Sequence, residues 1–192
     1  MRLLFILTAL AGIFVATPPI FAQSNDDAQK KQALKKSLAP YVSSPMNVVE
    51  RMLELCEVGA NKVVYDLGCG DGRILVSAAK TYKARAVGVE LSPKWAQLAT
   101  DKVVEAGVQH RVRVLQQDML EADLAEADIV TLYLISEANT LLRPKLEKEL
   151  RPGACVVSHD FEIKGWKPAS VETIKVFQRP HMLYVYKVGV RR

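Results

Sequence analysis

The stretch Val63-Val64-Tyr65-Asp66-Leu67-Gly68-Cys69-Gly70-Asp71-Gly72-Arg73 decides how this chain reads. Residues 62–67 form a short apolar run with the composition of a buried strand. Glycines dominate residues 68–72, and residues 73–82 then have helical composition. Strand, glycine loop and helix in that order make a cradle, because glycine turns sharply and lets a ligand approach the backbone. In open α/β sheets such loops lie outside the carboxyl ends of the strands, where strand order reverses.

The spacing separates two classes of ligand. A dinucleotide fold uses G-x-G-x-x-G to seat a pyrophosphate on a helix N-terminus. Here the glycines are spaced G-x-G-x-G, with Asp66 before them and Asp71 among them. Two carboxylates repel a pyrophosphate and suit a cation. S-adenosylmethionine (SAM) carries both a sulfonium and an ammonium. Asp66 and the Gly68 backbone are expected beside its methionine part, with Gly70, Asp71 and Gly72 completing the cradle. Glu90, at the end of a strand over residues 86–90, is placed to accept from both ribose hydroxyls, with Leu91 following it. Nicotinamide enzymes share that acid, so alone it does not discriminate. After the next strand, residues 111–116, Asp118 can accept from an adenine amino group and Met119 can pack against the ring.

Outward from this core the elements alternate. Ser44-Pro45 reads as a helix start, with Ser44 as N-cap and Pro45 at the first helical position. Val48, Val49, Met52, Leu53 and Leu55 supply that helix's apolar face. A helix is expected over residues 93–106, a strand over 128–134, a helix over 136–150 interrupted before Pro144, and a strand over 153–159. Strands over 170–177 and 181–188 follow, joined only by Gln178, Arg179 and Pro180. A parallel crossover needs about a dozen residues or more, so this pair is a hairpin and one strand runs against the sheet. The expected fold is α/β: a Rossmann-like, doubly wound seven-stranded sheet with one antiparallel strand, in three layers.

The acceptor side carries weaker signals. Asp128 begins its strand and so faces away from the ligand end. Tyr133 and His159-Asp160 end strands and point toward the mouth. Tyr133 and His159 are the candidate catalytic residues, His159 as a proton acceptor or substrate orienter. A packing tyrosine and a hydrogen-bonded strand-end histidine are the plainer readings. Trp166 either lines the acceptor channel or covers the sheet edge. No Asn/Asp-Pro-Pro-Tyr clamp is present.

The chain has 192 residues and a formal net charge of +5, a mild basic bias consistent with a solvated surface, so no nucleic-acid partner is expected. Cys56, Cys69 and Cys155 are scattered without C-x-x-C spacing, which predicts neither a disulfide framework nor a zinc site; no metal is expected. Residues 1–22 have an early Arg2, an apolar run and a terminal Ala22, as in a signal peptide or membrane anchor. Such a segment predicts an exported or membrane-anchored chain on the periplasmic side, in conflict with a cytoplasmic supply of SAM. Residues 23–40 form a basic linker or helix with Lys30, Lys31, Lys35 and Lys36, able to lie on an anionic membrane surface. Residues 41–192 form the domain that carries the cradle on this reading.

The chain resembles the small seven-stranded protein-lysine methyltransferases whose eukaryotic members act on the ATP synthase c subunit and the adenine nucleotide translocase. It looks like one of their bacterial relatives. The resemblance rests on Tyr41-Val42-Ser43-Ser44-Pro45, on the glycine loop through Arg73, and on Val87-Gly88-Val89-Glu90-Leu91-Ser92-Pro93. It continues through Leu142-Arg143-Pro144-Lys145-Leu146 and Val156-Val157-Ser158-His159-Asp160-Phe161 to Trp166-Lys167-Pro168. Ser43 departs from a common Pro and Ser92 from a common Asn. The resemblance implies that Tyr41 folds over SAM, and that the acceptor is lysine in a protein substrate, one near a membrane. A small-molecule methyltransferase and a non-catalytic SAM-binding module are the alternatives.

Overall fold

The computed structural model describes residues 42–189. Helix α1 spans Met46–Leu55, followed by β1 (Val63–Leu67), α2 (Arg73–Lys80), β2 (Arg85–Glu90), α3 (Pro93–Glu105) and β3 (Val112–Gln116). Then come β4 (Ile129–Leu132), α4 (Ser136–Glu149), β5 (Cys155–His159), β6 (Ser170–Val176) and β7 (Arg179–Lys187). The strand order is β3-β2-β1-β4-β5-β7-β6, with β7 antiparallel to both neighbours. The expected seven-stranded sheet with a reversed strand is therefore present. The hairpin turn falls at Phe177 and Gln178, whose φ angles of 46° and 66° are left-handed. Strand β7 accordingly begins at Arg179, two residues earlier than the sequence pattern suggests.

Alternation along the central strands builds two cores. Val64 of β1 faces one side, with Met52 and Leu53 of α1, Leu75 of α2 and Val103 of α3. Val63, Tyr65 and Leu67 face the other, with Leu142 and Leu146 of α4. All five residues of β1 are buried, as a central strand covered on both faces requires.

Two helix details differ from expectation. Pro45 is the N-cap of α1 and no side chain caps the helix; the Ser44 hydroxyl is drawn instead to His159 Nδ1, 2.9 Å away. Helix α4 runs unbroken through Pro144. Proline costs the helix one backbone bond, and the fully buried Leu142 and Leu146 on either side hold it by packing.

The cysteine expectation is overturned. Cys56, at the end of α1, and Cys155, at the start of β5, form a disulfide with Cα atoms 5.7 Å apart across 99 residues of sequence. Cysteine spacing carries no information about such a pair; the packing of α1 on the sheet creates it. Cys69 is free and buried. The expectation of export or membrane anchoring is corrected too: no helix among the described residues is long and apolar enough to cross a membrane. Residues 1–22, which prompted it, lie outside the described residues, as do residues 23–40 and Tyr41.

Candidate active site

Strand order reverses between β1 and β4, and the glycine loop leaves β1 at that point. The Gly68 N–H donates to the Val89 carbonyl at 2.8 Å, hooking the loop onto β2. Gly68 has φ +80°, and a Cβ there would lie 2.9 Å from Leu134 Cδ2. Gly72 has φ +75°, and its missing Cβ lets α3 approach, with Ala99 Cβ 2.9 Å from where it would stand. These positions demand glycine for both conformation and space.

Asp66 sits opposite Thr131 in the sheet register. The Thr131 hydroxyl donates to Asp66 Oδ1 at 2.7 Å. Burial pushes the Asp66 carboxyl up to about 7, the hydroxyl opposes this, and Glu90 and Asp71 add to it. A buried acid without a cation holds its proton; a cationic ligand restores the charge. Glu90 is also buried. Its Oε2 accepts from the Gly70 N–H at 3.0 Å and its Oε1 from the Ser92 N–H at 2.9 Å. The carboxylate is thus held across the loop with lone pairs left for a diol. Two buried acids beside a glycine loop suit the positive charge of SAM, which supplies a methyl group activated on a sulfonium.

Asp71 differs from its expected role. Its carboxylate accepts from Arg73 Nε at 3.0 Å, from Arg73 Nη2 at 2.8 Å and from Lys102 Nζ. Two cations neutralise it, so it fastens the loop to α2 and α3 rather than offering charge to a ligand. Asp118 is half-buried, and its Oδ1 accepts from the Leu120 N–H at 3.0 Å in a local turn. Met119 packs on the β1–α4 core, and Leu91 is half-exposed beside Glu90.

Tyr133 follows β4 and its ring stacks on His159 at 3.9 Å between centroids. Burial, with Asp160 adding, raises the Tyr133 phenol, which keeps its proton. His159 is 0% exposed. Its Nδ1 meets Ser44 Oγ at 2.9 Å and its Nε2 meets His181 Nδ1 at 2.8 Å. Burial lowers it to about 4, with His181 and Arg179 contributing and Asp160 opposing. A fully buried ring with both nitrogens engaged does not take a substrate proton directly, which removes the proton-acceptor half of the expectation for His159. Trp166 stacks on Tyr186 at 5.2 Å and packs on the core, which places it as a cover for the sheet rather than a channel wall.

Sequence reasoning missed three participants: Thr131, Ser44 as a partner of His159, and His181. Thr131 is found only through the β1–β4 register. His181 is the third residue of β7 and carries no spacing signal. The two halves of the site are also joined. Arg73 Nη1 donates to the Ser44 carbonyl at 2.9 Å, while the Ser44 hydroxyl meets His159.

Comparison with known proteins agrees with this geometry. The ANTKMT methyltransferase domain matches residues 66–170. A protein-lysine N-methyltransferase of Saccharolobus islandicus (strain REY15A) is 44% identical over 151 residues, covering 78% of this chain and 94% of that protein. The adenine nucleotide translocase lysine N-methyltransferase of Mus musculus is 34% identical over 169 residues, 88% of this chain and 73% of that one. Among solved structures, an RNA methyltransferase from Salinibacter ruber in complex with S-adenosyl-L-homocysteine matches with a TM-score of 0.73 at 43% identity, covering 79% of this chain and 96% of that chain. The protein is a SAM-dependent methyltransferase, and the chain belongs to the ANTKMT methyltransferase domain family.

Proposed function

We propose that the chain N-methylates lysine in a protein substrate. The observation that carries this reading is the 44% identity, along 94% of its length, to a protein named as a protein-lysine N-methyltransferase. The acceptor wall supports it. The half-buried face of Tyr133 stands at the end of β4. An aromatic face suits an incoming ammonium.

Lysine must lose its proton before it attacks. With an ordinary pKa of ~10.4, this costs roughly 4–5 kcal/mol at neutral pH. Drawing the ammonium out of water lowers that cost. On this reading the Tyr133 ring excludes water and His159 fixes the ring from behind. The nitrogen–carbon bond then forms as the sulfur–carbon bond breaks, and alignment supplies most of the acceleration. Tyr41, Asp66, Gly68, Gly70, Gly72, Glu90, Leu91, Asp118 and Met119 are proposed on the cofactor side.

The test is incubation with tritiated SAM and soluble and membrane extracts, followed by hydrolysis of the labelled protein. Methyl-lysine is the expected product, and its fraction shows whether the acceptor is membrane-associated. Label confined to solvent-extractable material would replace lysine with a small molecule. The likeness to the Salinibacter ruber RNA methyltransferase makes RNA the second reading, and label confined to RNA would establish it.

A further inference from the structure

Behind the acceptor wall, three ligating atoms converge from the end of β5 and the start of β7. His159 Nε2 lies 2.8 Å from His181 Nδ1, His181 Nδ1 lies 3.2 Å from Asp160 Oδ2, and Asp160 Oδ2 lies 3.4 Å from His159 Nε2. This triangle is short of protons. An ionised carboxylate offers only lone pairs, and a neutral imidazole carries a single N–H. With the His159 proton on Nδ1 toward Ser44, its Nε2 is bare. One proton on His181 Nδ1 must then serve both other corners. The third side remains a contact between two lone pairs.

A metal ion satisfies all three corners at once. Tetrahedral bonds of about 2.0–2.2 Å to nitrogen and oxygen set ligand atoms roughly 3.3–3.6 Å apart. Two of the three separations here, 3.2 and 3.4 Å, lie close to that spacing, and the 2.8 Å pair of imidazole nitrogens has to open by about half an ångström to share an ion. The outer partners also match a metal site, where ligands are oriented through their far atoms. Ser44 holds His159 Nδ1 at 2.9 Å, and the Met182 N–H donates to Asp160 Oδ1 at 2.9 Å. Asp160 adopts φ +60°, uncommon for a residue with a side chain, to aim Oδ2 at the rings. Both histidines are buried, at 0% and 4% exposure. Arg179 reaches the same oxygen only at 3.7 Å, from a side chain that is 65% exposed and able to swing away.

We propose that His159, Asp160 and His181 form a binding site for a first-row divalent metal ion of the zinc class. Two imidazoles and one carboxylate suit such borderline ions. A fourth position is left for water. The ion ties the turn after β5 to the start of β7, directly beneath the Tyr133 ring, and so fixes the acceptor wall. This goes beyond the lysine reading and stands without it.

The test uses the full chain, chelator-stripped and free of any histidine tag, titrated with Co²⁺ as a visible-band probe and then with Zn²⁺ as competitor. One equivalent of Co²⁺ should bind and be displaced by Zn²⁺. His181→Asn and, separately, Asp160→Asn should weaken binding by more than tenfold. Ser44→Ala should weaken it about tenfold, as loss of an outer partner does. His110→Asn, at the remaining histidine in the sequence, should leave it unchanged. Thermal protection by S-adenosylhomocysteine reports that each variant is folded. Absence of Co²⁺ or Zn²⁺ binding at millimolar concentration in the unmodified chain would overturn the proposal. So would equal affinity in a folded Asp160→Asn variant.

Discussion

The β1–β2 half of the sheet and the β4–β5–β7 half both hold polar groups at strand ends, but they build differently. In the first, the groups lie close in sequence: Asp66, the glycine loop and Glu90 fall within 25 residues, and the bonds are largely to backbone. In the second, Ser44 meets His159 across 115 residues and His159 meets His181 across 22. Backbone bonds hold the cofactor loop through the conformations that glycine permits. Side-chain bonds hold the acceptor wall through tertiary packing. On the proposed reading, the first half serves any methyl acceptor, whereas the second is matched to one.

The most direct way to break this comparison is Glu90→Ala. It strips the acceptor from the Gly70 and Ser92 N–H groups and, on the proposed reading, from the ligand's diol. Charged hydrogen bonds contribute about 1.5–3 kcal/mol each, so S-adenosylhomocysteine affinity should fall by roughly 10²–10³-fold in calorimetry. An affinity close to that of the unmodified chain would remove Glu90 from the cofactor half.

Reduction of the Cys56–Cys155 disulfide should act on the other half. It releases the C-terminal end of α1, the helix that Ser44 precedes, from β5. The bond closes a loop of 99 residues, and such bonds stabilise by about 2–4 kcal/mol. Urea melts with and without reductant should show that loss. An identical midpoint would show that α1 is held by packing alone.

Titration sharpens the comparison on the cofactor side. In the cofactor-free protein Asp66 is raised from 3.8 to about 7. Its neutral form is favoured in the fold, so its contribution to stability is complete below about 3.8 and is lost as pH rises through about 7. A sulfonium needs the ionised form, so SAM binding should tighten as pH rises toward 7 and release a proton near neutrality. Below pH 7 the affinity should fall about tenfold per pH unit from this group. Calorimetry in buffers of different ionisation enthalpy measures the proton; none released would mean that Asp66 does not face the cation.

The smallest effect belongs to Tyr133→Phe. It keeps the stack on His159 and removes one hydroxyl. Turnover should fall by up to about tenfold, the worth of one hydrogen bond, with S-adenosylhomocysteine affinity unchanged. Equal losses in both would place Tyr133 on the cofactor side.

The cofactor half was legible because its chemistry is local. Strand, glycine loop, helix and a second strand ending in an acid are all contiguous, and each residue type has a conformational or electrostatic reason to stand where it does. Even so, Asp71 misled: its charge reads as available until Arg73 and Lys102 are seen to neutralise it. His159 misled in the opposite way. A strand-end histidine reads as accessible, yet Ser44 and His181 take both its nitrogens. Hydrogen-bond partners that far away leave no mark in local spacing.

Residue order was enough to specify the sheet, its reversed last strand and the glycine loop between β1 and α2, because periodicity and glycine conformation act over short stretches of chain. Packing had to settle which acids keep their charge, that Cys56 meets Cys155, and that Ser44, Tyr133, His159, Asp160 and His181 share one wall. Burial and distance across the fold set those outcomes, and both arise only when helices and strands far apart in sequence come together.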